Sequence, residues 1–365
     1  MRRILIKTLL IFILLNLLLA AGNPLPALGR VSLYNHVFPG RERFPFGEDP
    51  QQAYNFSLYS LEAMFAAHEL SGQPTPAPAG EYRLLLLGDS SVWGTLLKPE
   101  ETLAGQINAL GLKTCDGRTV QAYNLGYPTL SVTKDLMILA EARRYDPDAV
   151  WWLVTLEGLP NEKQLASPLA ANNPARLDAL AAETGAVNAA DPAIIRPDFW
   201  GRTILGLRRP LADWLRLQLY GVMWSATGID QVYPADYPPA ALDLEADDRF
   251  HDRRPPTLDA SSLALGVLDA GAKLLGDVPL TVINEPILIS DGKNSEVRYN
   301  FFYPRWTYDQ YREMLQKQSS IGGWTLVDRW DLLPKTEFTN SAIHLTPAGS
   351  TALAQSLAGL VECAK

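Results

Sequence analysis

From Glu81 onward two patterns alternate, and their alternation limits the possible folds more than any other feature of the chain. Continuous apolar runs, "YRLLLLGD", "VQAYNLGYP", "DAVWWLVTLE", "VPLTVINEPIL" and "WTLVDRW", alternate with stretches of helical spacing such as "ETLAGQINAL", "VTKDLMILAEARRY" and "YDQYREMLQKQSS". A run that is apolar at nearly every position suits a strand covered on both faces. Strands and helices in regular succession give a parallel sheet between helical layers. The expected architecture is α/β, a three-layer sandwich on five parallel strands. "TPAGSTALAQSLAGLVECA" closes it as a helix, with Thr346 as cap and Pro347 in the first turn.

Two stretches fall outside this rhythm. Residues 160–260 carry no strand pattern and read as a largely helical insertion, with the basic, amphipathic "LGLRRPLADWLRLQLYGVMW" inside it. Such a stripe packs onto its own domain or lies on a lipid surface. At the other end, Arg2, Arg3 and Lys7 flank an apolar run from Ile4 to Gly22. A positive flank before an apolar run reads as a membrane anchor or an export signal, cleavable near Ala20-Ala21-Gly22. Either way the remainder faces the extracytoplasmic side, anchored in the first case and secreted in the second. The chain thus divides into three segments: 1–22, the anchor or signal; 23–79, a juxtamembrane stretch with a helix over "AYNFSLYSLEAMFAAHEL" and a Pro-rich linker; and 80–365, the sheet domain with its insertion.

The balance of 47% hydrophobic and 20% charged residues over 365 residues is that of a globular protein, and the net charge of -8 comes without a basic run. Nucleic acid is therefore not an expected partner. No metal or cofactor is expected, since two isolated cysteines and four scattered histidines do not form a zinc-binding pattern.

Reactive groups in a parallel α/β sheet gather at the carboxyl ends of the strands. That selects Gly88, Asp89, Ser90 and Ser91 after the first strand, Asn124, Gly126 and Tyr127 after the second, and Thr155, Glu157 and Asn161 after the third. Asn284 and Glu285 come after the fourth, and His344 precedes the last helix.

With these residues in place, the chain resembles the SGNH (GDSL-type) hydrolase superfamily. "LLLLGDSSVWG" is similar to its first block, "AYNLGYPTLSV" to its second and "AIHLTPAG" to its last, over about residues 81–159 and 276–365. The resemblance implies Ser90 as nucleophile and His344 as its base, with the Ser90 and Gly126 amides as oxyanion donors. The chemistry agrees, because a serine hydroxyl needs an imidazole to take its proton. Asn124, Glu157, Asn284 and Glu285 are candidate substrate-binding groups.

The chain departs from the family at two points. "WWLVTLEGLPNEK" lacks the Asn of the third block and puts Glu157 nearest that place, where a carboxylate would repel an oxyanion. Ser341 stands where the family has Asp three residues before His, and Asn340 precedes it; neither is charged. The function implied is that of an exported serine esterase acting on acyl groups of carbohydrate or lipid. The alternatives are acyl transfer to a surface polysaccharide and a degenerate member that only binds glycan, for which "YPRWTYDQYR" offers aromatic and Arg groups. Finally, in a flavodoxin-like strand order 2-1-3-4-5 the first and last helices cover one face with their C-termini together. Cys115 and Cys363 are then expected to form a disulfide, which export permits.

Overall fold

The computed structural model describes residues 1–22, 27–28, 31, 33–38, 61–66, 68–227 and 237–361. The apolar runs are the strands expected of them: β1 (Glu81–Gly88), β2 (Thr119–Gly126), β3 (Ala149–Val154), β4 (Leu280–Asn284) and β5 (Thr325–Asp328). They pair in the order β2-β1-β3-β4-β5, parallel throughout. β3 is buried along its whole length, as a strand covered on both faces must be.

The described helices are α1 (Arg2–Gly22), α2 (Leu33–Val37), α3 (Leu61–Ala66), α4 (Ser90–Trp93), α5 (Leu103–Leu110) and α6 (Val132–Ala142). After them come α7 (Pro168–Ala171), α8 (Pro174–Thr184), α9 (Arg208–Thr227), α10 (Gly266–Leu275), α11 (Arg305–Gly322) and α12 (Pro347–Leu357). On one face of the sheet α5 and α12 meet: Leu103 and Ile107 share a core with Leu353 and Leu357, and Thr351 donates to Gln106 at 2.7 Å. On the other face lie α6, α10 and α11. α12 starts as expected, with the Thr346 hydroxyl accepting the Gly349 N–H and Pro347 in the first turn.

The described chain forms two compact units. One comprises residues 73–170, 175–189 and 233–365 and contains the sheet; the other comprises residues 1–72, 171–174 and 190–232. The interrupting stretch is thus shared between them, and α9 packs against α2 of the N-terminal segment. α1 is 21 residues long, with an 18-residue stretch of mean hydropathy 2.6, and most of its apolar side chains are exposed. At 1.5 Å per residue it spans about 30 Å, the thickness of a bilayer's hydrocarbon core. Of the helix expected over 53–70, only α3 and a short 3₁₀ turn at Glu69–Gly72 lie within the described residues. Cys115 sits in the connection from α5 to β2 and is disulfide-bonded; Cys363 lies outside the described residues.

Packing of α10 on the sheet offers a test. A Cβ on Gly271 would come within 2.7 Å of the buried Trp152 ring, whereas one on Gly266 would meet nothing within 4 Å. Gly271→Ala is expected to destabilise the protein by about 1–3 kcal/mol. Gly266→Ala, in the same helix, is expected to be neutral or stabilising by up to about 1 kcal/mol. Urea denaturation of the two variants checks the contrast.

Candidate active site

The turn after β1 is built around a small residue. Gly88 has φ +157°, and a Cβ there would lie 2.5 Å from Val92 Cγ2, so only glycine lets the strand turn this sharply into a helix. Asp89 caps that helix, its side chain accepting the Ser91 N–H at 2.8 Å. Ser90 is the first residue of α4. No partner for its N–H occurs among the described residues, as is usual for the first donor of a helix.

His344 approaches from the other end of the sequence. Its loop is pinned by the Thr339 N–H to the His344 carbonyl at 2.8 Å, the Leu288 N–H to Ala342 at 2.8 Å and the Thr346 N–H to Glu337 at 3.0 Å. The imidazole Nε2 lies 2.8 Å from Ser90 Oγ, and Nδ1 lies 2.9 Å from Asn340 Oδ1. An amide oxygen only accepts, so Nδ1 carries the proton. Nε2 is left with its lone pair toward the serine hydroxyl, the tautomer that a general base needs. A sequence search for a carboxylate passes over Asn340. The signal is nonetheless present, an acceptor side chain four residues before the histidine.

Beneath the serine lies a buried acid layer. Ser91 donates its hydroxyl to Glu285 Oε2. Lys134 is fully buried; its ammonium donates to the carbonyls of Gly88 and Tyr127, both at 2.9 Å, and pairs with Asp135 at 2.6 Å. Burial pushes all three acids up. Asp135 rises to about 6, held down by Lys134. Asp89 rises against the Ser91 N–H and Lys134, and Glu285 is raised well above the usual carboxylate range by burial and then by the Asp89 charge. Lys134 also escapes a reading of the sequence, though it falls in register with the buried Met137 and Ile138 on α6.

The remaining candidates are engaged elsewhere. The Gly126 N–H, expected to face an oxyanion, donates to Asn124 Oδ1 at 2.9 Å. Asn124 Nδ2 in turn donates to the Val92 carbonyl at 2.8 Å. This bracket ties α4 to the end of β2, and a Cβ on Gly126 would sit 2.2 Å from Trp93 N, so the glycine is required by close packing. Asn284 is buried, donating to Asp328 at 2.9 Å and accepting the Tyr308 and Tyr311 hydroxyls at 3.1 and 3.2 Å. Asn161, the conceivable replacement for the third-block asparagine, donates to the Ser261 carbonyl at 2.8 Å. Tyr303, Tyr308 and Tyr311 are buried, which removes the aromatic core of "YPRWTYDQYR" from sugar stacking.

Glu157 is buried and its carboxylate is held by Lys163 and by His251 Nε2, the latter at 3.0 Å. His251 also lines an open cavity of about 710 Å³ with Asp243, Glu245, Asp247, Arg249, Arg298 and Phe301 among its walls; Ser90 and His344 do not line it. Among the described residues no cluster of His, Cys, Asp and Glu suited to a metal occurs.

No family model and no curated protein matches the chain. Among solved structures it is similar to a carbohydrate acetylesterase family member from Sinorhizobium meliloti, at 11% identity over 77% of this chain and 97% of that one, TM-score 0.31. A second carbohydrate acetylesterase of the same organism matches at 14% identity over 76% and 97%, TM-score 0.33. The aryl esterase of M. smegmatis matches at 14% over 77% and 98%, TM-score 0.32. Likenesses this distant say nothing of the chemistry, which rests on the side chains above.

Two outcomes are expected from this geometry. Burial lowers His344 to about 4, so the ring is neutral above that pH and protonates, losing its basic lone pair, as pH falls through it. Asn340→Asp supplies a facing negative charge and should raise the midpoint by about 1–3 units. Histidine-selective NMR titration reads both values. Glu157→Asn leaves Lys163 and His251 without their carboxylate and is expected to cost about 1–3 kcal/mol in thermal unfolding without raising esterase turnover.

Proposed function

We propose that this protein is a serine acyl-ester hydrolase working through Ser90, His344 and Asn340. The observation that carries the reading is the continuous hydrogen-bonded line from Ser90 Oγ through the imidazole to the Asn340 amide. His344 Nε2 takes the hydroxyl proton as Ser90 Oγ attacks the ester carbonyl, and the imidazolium then protonates the leaving alcohol. Asn340 holds the ring in the correct tautomer throughout. The Ser90 N–H, at the first position of α4, supports the developing oxyanion.

An amide in place of the carboxylate fixes the tautomer but does not stabilise the imidazolium by charge. A slow enzyme is the expectation, with Asn340→Asp faster than the parent. Deacylation by water gives hydrolysis, and deacylation by a sugar hydroxyl gives acyl transfer from the same intermediate.

A fluorophosphonate probe should label the purified protein, and Ser90→Ala should abolish the labelling while Ser91→Ala retains it. Release of free acid from an acetylated sugar, against its transfer to an added glycan, then distinguishes the two fates. Absence of labelling on the folded parent protein would sink the catalytic reading.

A further inference from the structure

The unit that contains α1 exposes apolar side chains where a water-facing surface carries polar ones. α9 turns Gln218 and Ser225 inward, at 5% and 4% exposure, and leaves Leu215, Leu219 and Met223 outward at 53%, 57% and 56%. These three stand at i, i+4 and i+8, on one side of the helix. A surface helix of a soluble protein has the opposite polarity. Ahead of α9, Leu205 is exposed at 58% and Trp200 at 71%. Tryptophan of this kind is enriched where membrane meets water. Arg208 and Arg209 open the helix, both exposed.

The inward edge of α9 is fastened to the residues that leave α1. Trp214 Nε1 donates to the Leu28 carbonyl at 3.0 Å, and the Leu33 N–H donates to Gln218 Oε1 at 2.7 Å. Within α1, Asn16 donates to the Phe12 carbonyl at 2.8 Å and accepts the Leu205 N–H at 3.3 Å. Asn16 lies six residues before the end of α1 at Gly22, which is about 9 Å along the helix. Interfacial helices bury their apolar face about 5–10 Å into the boundary between headgroups and acyl chains, the same depth.

We propose that α9 is an interfacial helix lying on the lipid surface that α1 enters. Leu215, Leu219 and Met223 reach the acyl region, and Arg208 and Arg209 meet anionic headgroups. The buried Gln218 is the strut that fixes α9 to the exit of α1. The proposal rests on α1 being a retained anchor, and the experiment keeps the two apart.

The full chain is reconstituted, under non-reducing conditions, into phosphatidylcholine–phosphatidylglycerol vesicles with a nitroxide on the acyl chain. An environment-sensitive fluorophore is placed on Leu219→Cys in one variant and on Leu10→Cys in another, with the unsubstituted chain as blank. Emission at position 219 should fall by roughly half or more relative to nitroxide-free vesicles, as a depth of about 5–10 Å requires. Adding Leu215→Ser and Met223→Ser should reverse most of that loss. Quenching at position 10 with none at 219 overturns the proposal, and disulfide-linked dimers of the unlabelled Leu219→Cys variant would show a second copy as the occupant instead. Absence of quenching at position 10 overturns the anchor reading and the proposal with it.

Discussion

A single buried ammonium group holds the site's foundation together. Lys134 Nζ bonds to the carbonyls that end β1 and begin the loop after β2, and pairs with Asp135 beside it. The Gly88 carbonyl belongs to the backbone that turns into α4, and α4 presents Ser90. An ammonium stripped of water is stable only when its donors find acceptors of this quality. The lysine therefore fixes the spacing of two strand ends, and the Gly126–Asn124 bracket fixes α4 against the second of them.

The electrostatics of the site divide into two layers. Below the serine, burial raises Asp89, Asp135 and Glu285; Lys134 pulls the first two back down, and Ser91 donates to Glu285. Above it, the imidazole is neutral and faces a neutral amide. Carboxylate is thus present near Ser90 but not beside His344 Nδ1. On the proposed reading, the ring transfers a proton in the right tautomer without the charge that a triad acid adds.

The N-terminal unit obeys a different solvent logic. α9 buries Gln218 and Ser225 and exposes Leu215, Leu219 and Met223, and the apolar α1 lies in the same unit. Inverted polarity of this kind costs free energy in water and is favourable against hydrocarbon. The two helices are tied through Asn16, Leu28, Leu33 and Leu205, so the inversion is a property of the unit as a whole.

Local chemistry made the sheet legible from the sequence. Continuous apolar runs set the strands, Gly88-Asp89-Ser90 set the turn, and Thr346-Pro347 set the start of the last helix, because each depends on neighbours a few residues away. The pairing of Ser90 with His344 was legible too, since parallel topology brings strand ends together whatever the loops do. What only the tertiary structure decided are contacts between side chains distant in sequence or freed by loop geometry. Asn340, not a carboxylate, reaches Nδ1 because the loop before α12 doubles back through the Thr339–His344 bond. Glu157 is held by His251, ninety-four residues away, and Gly126 gives its N–H to Asn124. Periodicity showed that α9 is amphipathic; which face meets protein and which meets solvent was settled by packing, because a helical pattern carries no label for its partner.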